Sequence, residues 1–221
     1  MSTPPAKEIR VSLAHPKAVL GGPVVLETTY INRSRQTLKF RDPAKTWEVM
    51  VAIKLPDGSE QRAHFGRIFR QESEGISMQV LEDADEVDLA PGATHKFAED
   101  LWRRWPALVR PGKFTLRVVD RTSDSETITS NSVELLVTFT EESVTPLVQL
   151  ARDEKAPIES RQVAAEWLAK FRPGLTLALD HPTAEQVRAN QTALDDFSAW
   201  WNANKSSERV IDTMEEINRG G

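Results

Sequence analysis

The segment that decides the fold runs from Ser132 to Ala151 and reads SVELLVTFTEESVTPLVQLA. In its first half every second residue is apolar: Val133, Leu135, Val137 and Phe139. This alternation is typical of a strand with one buried face. In its second half apolar residues recur at helical spacing: Val144, Leu147, Val148 and Ala151. The hydrophobic period therefore changes near Thr140, which predicts a β-rich part before it and a helical part after it.

Upstream of this segment the same alternation recurs in Ile9–Leu13, Trp47–Leu55 and Phe114–Val118. Turn signals separate the runs: Gly21-Gly22-Pro23, Pro56-Asp57-Gly58, Ala90-Pro91-Gly92 and Arg110-Pro111-Gly112. Proline presets the φ angle that a turn requires, and glycine readily adopts positive φ, so both residue types favour a turn at these positions. We predict a hairpin at Pro56–Gly58 and place Trp47 in the core. Short strands with frequent turns predict an antiparallel sandwich or barrel.

Downstream of Thr140 the sequence carries further helical stripes. Their apolar members are Val163, Ala164, Trp167, Leu168, Phe171, Leu194, Phe197, Trp201, Val210, Met214 and Ile217. Thr183 and Gln186 have the spacing of a capping box, in which the two side chains satisfy exposed backbone amides reciprocally. Helices this short are marginal alone, so they must pack on each other or on the sheets. The sequence predicts a small helical bundle, as four helices or a helical hairpin.

The charge distribution supports the same boundary. The 221 residues hold 28 Lys and Arg against 33 Asp and Glu, for a net charge of −5. Beyond Thr140 there are nine Lys and Arg against fourteen Asp and Glu, so the helical part carries the whole excess. We therefore predict a β-sandwich domain at 1–140 and an α-helical C-terminal domain at 141–221.

The order of strand and turn signals resembles a bacterial immunoglobulin-like domain. The matching stretches are Gly22–Leu26, Asn32-Arg33-Ser34, Pro56-Asp57-Gly58, Leu89–Gly92, Arg110–Leu116 and Ser130–Leu135. Their general form is similar to the intracellular proteinase-inhibitor family of bacteria, and the tail around Trp200-Trp201 resembles a HEAT-like helical pair. The resemblance implies an Ig-like antiparallel β-sandwich and raises protease inhibition as one function. Phe114 departs from the pattern because it lacks the hydroxyl of a tyrosine corner.

The sequence argues against most catalytic chemistry. It has no cysteine, which rules out disulfides, cysteine-based zinc sites, iron–sulfur clusters and cysteine nucleophiles. The four histidines, His15, His64, His95 and His181, lack metal-ligand spacing, and the acidic run Glu82–Asp88 fails the EF-hand pattern. No nucleophile elbow, P-loop or dinucleotide fingerprint is present. We predict no catalytic residue, no metal and no cofactor, while a catalytic site without a local motif stays open.

The candidate binding residues are Trp102, Arg103, Arg104 and Trp105. Indole and guanidinium groups are enriched at binding hot spots, and these four lie between two turn signals, where loops commonly carry function. The alternative is that one Trp closes the core while an arginine stacks on the other. In a second segment, Arg62–Arg70, basic residues alternate with aromatic residues. Nucleic-acid binding is not expected, because the sequence pI is about 5.5.

The sequence thus predicts a non-catalytic protein-binding or scaffolding module. The partner would be another protein. It would bind to the segment Trp102–Trp105, to sheet edges or to the acidic helical face. The alternatives are a protease inhibitor, or a carbohydrate-binding or hydrolase accessory protein with aromatic platforms. The N-terminal residues show no signal peptide, so a cytoplasmic location is expected, or a periplasmic or envelope location if a leader has been removed. No stretch predicts a membrane span.

Overall fold

The computed structural model describes residues 6–41, 49–64, 86–102, 105–123 and 126–219. The strands of this part are β1 (Lys7–Leu13), β2 (Lys17–Val19), β3 (Val25–Asn32), β4 (Leu38–Arg41), β5 (Val49–Lys54), β6 (Glu60–His64), β7 (Glu86–Leu89), β8 (Thr94–Asp100), β9 (Gly112–Ser123), β10 (Glu126–Thr129) and β11 (Val133–Thr138). The helices are α1 (Val144–Arg152), α2 (Ile158–Phe171), α3 (Ala184–Asn204) and α4 (Glu208–Arg219). This order confirms a β-rich part followed by a helical part.

The chain forms two compact units, each discontinuous along the sequence. The first unit comprises Met1–Ala14, Val25–Glu99 and Phe114–Glu134. The second comprises His15–Val24, Asp100–Lys113 and Leu135–Gly221. The division predicted at Thr140 differs from these units, because two short segments and most of β11 group with the helices.

The first unit is built from antiparallel strand pairs. One sheet has the order β1-β3-β8, a second contains β9-β5-β6 with β10 also paired to β9, and β4 pairs with β7. The hairpin predicted at Pro56–Gly58 is confirmed, since it joins β5 to β6 and Gly58 has a φ of +85°. Trp47 lies outside the described residues.

Alternate residues of β3 and β9 form the buried face of the first unit. On these two strands they are Leu26, Thr28, Tyr30, Asn32, Phe114, Leu116, Val118 and Asp120. The alternation follows from the pleat, which sends successive side chains to opposite faces. Three of these positions are unusual for a core, because Thr28, Asn32 and Asp120 are polar yet almost fully buried.

The second unit packs its helices around an aromatic cluster. Phe139 lies 5.3 Å from Phe171, and Phe171 lies 5.2 Å from Trp201, measured between ring centroids. The Asn218 side chain accepts a hydrogen bond from the Phe139 N–H and donates one to the Phe139 carbonyl, both at 2.8 Å. Asn218 on α4 therefore fixes the end of the strand segment against the last helix.

The segment His15–Val24 belongs to the second unit because of strand pairing. β2 lies parallel to β11, with Lys17 opposite Leu136 and Val19 opposite Thr138. A parallel pair needs a long connection, so no local sequence signal reveals it. Beyond β2 the chain turns at Gly21, whose φ is +94°.

We expect Gly21→Ala to destabilise the protein more than Gly174→Ala does. Both glycines have positive φ, but a Cβ on Gly21 would lie 2.4 Å from the Pro146 Cβ, whereas one on Gly174 would meet nothing within 4 Å. The Gly174 change therefore measures backbone strain alone, roughly 1 kcal/mol. Thermal unfolding of both variants provides the comparison, and equal losses would exclude the Pro146 contact as a constraint.

Candidate functional site

The structure buries Trp102 and Trp105, the two indoles of the predicted binding segment, inside the second unit. Trp102 is 4% exposed and Trp105 is 6% exposed, so neither indole forms an accessible contact surface. Arg103 and Arg104 lie outside the described residues. Both indoles are therefore core residues, whereas the binding role predicted for this segment and the stacking of an arginine on one indole stay predictions.

A short 3-10 turn follows Trp105 in the second unit. Trp105 precedes the turn Pro106–Leu108, which packs against α2. The Trp167 Nε1 of α2 donates a hydrogen bond of 2.7 Å to the Val109 carbonyl. Closely spaced tryptophans are typical of binding hot spots and of hydrophobic cores, because both bury a large apolar area. Only the position of α2 distinguishes the two cases.

The described residues contain an open groove of about 570 Å³ along β1 in the first unit. Five consecutive β1 residues, Glu8–Ser12, form one wall together with Thr29 of the neighbouring strand β3. The opposite wall is Thr129–Asn131, which comprises the last residue of β10 and the start of its connection to β11. The lining is mostly polar, so the groove suits a ligand rich in hydrogen-bonding groups.

The hydrogen bonds of β1 show which of its backbone groups face the groove. The Ala6 carbonyl accepts from the Arg33 N–H at 2.8 Å, and the Ala14 N–H donates to the Val25 carbonyl at 3.1 Å. In an antiparallel pair, every second residue forms both its N–H and its C=O hydrogen bond with the neighbouring strand. The even-numbered residues of β1 therefore bond to β3, and the odd-numbered residues point their N–H and C=O groups to the other edge.

Asn131 occupies part of that other edge. Its side chain accepts a hydrogen bond from the Val11 N–H at 2.9 Å and donates one to the Val11 carbonyl at 3.0 Å. This is the bonding pattern of a paired strand residue, supplied here by an amide side chain. Ile9, the preceding odd-numbered residue, directs its backbone groups into the groove, and no strand in the described ranges pairs with this edge of β1.

The wall that carries Asn131 is held firmly on its inner side. Ser130 N–H donates to the Val118 carbonyl at 2.9 Å, and the Val118 N–H donates to the Ser130 hydroxyl at 2.9 Å. The same hydroxyl donates to the Asn131 carbonyl at 2.7 Å. The groove therefore has a preformed width, which lowers the entropic cost of binding.

Three charged side chains stand together at one end of the groove. The Arg10 Nε donates to Glu8 Oε1 and the Arg33 Nε donates to Glu8 Oε2, each at 2.5 Å. The hydrogen bond from Arg33, followed by that from Arg10, holds the pKa of Glu8 below its ordinary value. One carboxylate faces two guanidinium groups, so the trio keeps one net positive charge.

The lowered pKa of Glu8 predicts a pH-dependent contribution to stability. A carboxyl whose pKa is lower in the folded state stabilises the fold above its unfolded pKa, here about 4.5, and loses this contribution as the pH falls through the folded value. The difference in melting temperature between the wild type and Glu8→Gln should therefore exist at pH 7 and vanish in strong acid. A pH-independent difference would show that the charge of Glu8 is irrelevant.

A buried ion pair joins β1 to β9 in the first unit. The Lys7 Nζ lies 2.5 Å from Asp120 Oδ2, and their side chains are 15% and 1% exposed. The same ammonium lies 5.0 Å from the centroid of the Tyr30 ring. Lys7 belongs to β1 and Asp120 to β9, so the pair joins the two sheets that support the walls of the groove.

The remaining candidates from the sequence contribute no site within the described ranges. No group of three His, Asp or Glu residues in the described part could hold a metal ion. The segment Arg62–Arg70 lies outside that part from Phe65 onward, as do the first residues of the acidic run Glu82–Asp88. Among the described helices, none combines the length and the apolar character that crossing a bilayer requires.

Comparisons with known proteins give no family. No family model matches the chain, and no curated protein matches it. Solved structures with partial likeness include the alkylpurine DNA glycosylase AlkC of Pseudomonas fluorescens bound to DNA with an abasic site analogue (14% identity, TM-score 0.36, 60% of this chain and 30% of that chain). Others are a β-glucosidase of Listeria innocua (16%, 0.33, 61% and 16%) and the C-terminal domain of Wzt (12%, 0.33, 61% and 75%). Because the TM-scores are low, these likenesses identify neither a family nor a function.

Proposed function

We propose that this protein is a non-catalytic protein-binding module that takes up an extended segment of a partner protein along β1. The observation that carries the proposal is the backbone of Ile9, which points into the groove beside an edge that Asn131 already pairs like a strand. The arrangement is a binding surface built from main-chain donors and acceptors.

The chemistry of strand addition fits this groove. An extended peptide gains affinity from main-chain hydrogen bonds and specificity from its alternate side chains. A bound segment would bond to the Ile9 N–H and C=O, and its end would meet Asn131 at Val11. The wall Thr129–Asn131 supplies further hydroxyl and amide groups within the same groove.

We also propose that the first unit is an immunoglobulin-like β-sandwich. The two sheets of the first unit support an immunoglobulin-like sandwich whose flank carries the groove. Carbohydrate binding would need exposed aromatic rings, and Trp102 and Trp105 cannot supply them because both are buried. Protease inhibition remains compatible with strand addition, since an inhibitor and its protease can also pair extended segments.

Selection of peptides tests the proposal directly. A displayed library of random twelve-residue peptides is selected on the immobilised full-length protein, and enriched peptides are measured as labelled synthetic peptides. We expect Ile9→Pro to weaken their binding about tenfold, which corresponds to the loss of one hydrogen bond of about 1.4 kcal/mol. Proline removes the outward N–H, while the pairing with β3 through the even-numbered residues is kept.

The matched control is Ile9→Ala. It shortens the same buried side chain but retains the backbone N–H, so it separates lost packing from the lost donor. We expect its affinity to stay close to that of the wild type, with both variants folded in melting experiments. Equal binding by Ile9→Pro and the wild type, or no enriched peptide at all, would refute binding at the edge of β1.

A further inference from the structure

We infer that the segment bound along β1 carries a carboxylate side chain opposite Arg10; this inference rests on the proposed function. It names the chemistry of the partner, which is an extended, acidic segment of a protein. Arg10 lies on the exposed face of β1, and both Arg10 and Arg33 donate hydrogen bonds to Glu8.

The register of a strand at the β1 edge fixes which side chains meet. Arg10 is paired across the sheet with Thr29 and lies on the outer, exposed face. Directly opposed residues of adjacent strands point to the same face, with Cβ atoms about 4.5–5.5 Å apart. A segment that bonds to Ile9 therefore places its next residue opposite Arg10, on that outer face.

The guanidinium of Arg10 is oriented but not saturated. Its Nε is held by Glu8, and the described residues give its terminal nitrogens no partner. The Arg10 side chain is 61% exposed, which leaves these nitrogens accessible. A guanidinium fork matches the geometry of a carboxylate in two parallel hydrogen bonds. The site therefore favours Asp or Glu over a neutral amide.

The neighbouring charges favour an acidic residue at this position. Both carboxylate oxygens of Glu8 are taken by arginines, so Glu8 is poorly placed to attract a basic side chain. Asn131 already bonds to the backbone of Val11, so the bound segment ends before Ser12. Its carboxylate opposite Arg10 therefore faces a cation.

The test compares charge variants on both sides of the contact. The tightest selected peptide that depends on the Ile9 N–H is synthesised with its acidic residue unchanged, as the amide, and as Lys. Each form is titrated against wild type, Arg10→Gln and Arg62→Gln. Arg62 is the matched control because its Nε also donates to a Glu two residues earlier, Glu60 Oε1 at 3.2 Å, but on β6 away from the groove.

We expect the wild type and Arg62→Gln to bind the acidic peptide about five times more tightly than the amide, and the Lys form more weakly still. Arg10→Gln should abolish this discrimination, and 0.5 M salt should reduce it in the wild type. Peptides that depend on Ile9 but ignore the acid-to-amide change would overturn the inference and leave the proposed function standing. Peptides that ignore Ile9 would overturn the proposed function itself.

Discussion

Replacing Trp105 with alanine should lower the free energy of unfolding by about 3–5 kcal/mol. The indole is 6% exposed and stands before the 3-10 turn that packs on α2, so its removal leaves a large cavity in the second unit. The surroundings can relax little, because Trp167 is hydrogen-bonded to the Val109 carbonyl one residue beyond the turn. Denaturant unfolding followed by circular dichroism and tryptophan fluorescence measures the loss.

The control for this variant is Trp200→Ala. Trp200 is only partly buried on α3, with its ring 5.8 Å from that of Phe197, so its truncation should cost distinctly less. If Trp105→Ala instead kept the stability of the wild type, the indole would be available for binding and the core interpretation would be wrong. A loss of binding together with normal stability would restore the patch predicted from the sequence.

Replacing Lys7 with methionine should also cost about 3–5 kcal/mol. The change removes the Lys7 ammonium from beside the carboxylate of Asp120, whose side chain is only 1% exposed. Methionine keeps most of the length and apolar character of the lysine stem, so lost packing contributes little. Because Lys7 begins β1, the variant should also weaken peptide binding in the groove, and both effects can be followed by titration and by melting curves.

The double variant Lys7→Met/Asp120→Leu separates charge from packing. With both charges removed, the desolvation penalty disappears and most of the stability should return, since buried ion pairs are often replaceable by apolar residues. A double variant as unstable as Lys7→Met alone would show that other contacts of Asp120, rather than its ion pair with Lys7, hold the sheets. A single variant with normal stability would contradict the importance of the pair altogether.

The sequence by itself determined the order and kind of the elements. The change of period at Thr140, the hairpin at Pro56–Gly58 and the capping box of Thr183 and Gln186 all appear in the structure. Each of these depends on neighbours within a few residues, so local propensity and turn geometry suffice to specify it. Sheet edges were also among the predicted carriers of binding, although the sequence indicated no particular edge.

Tertiary structure alone decided the location of the groove and the burial of the indoles. Asn131 pairs with Val11 across 120 positions of sequence, and an isolated asparagine gives no sign of such a partner. The register of β1 on β3 turns the Ile9 N–H and C=O toward the open edge. A shift of this register by one residue would turn them toward β3 instead. Trp105 is buried beside a turn that packs against α2. The density of indole and guanidinium groups in the sequence is typical of a core as well as of a binding surface.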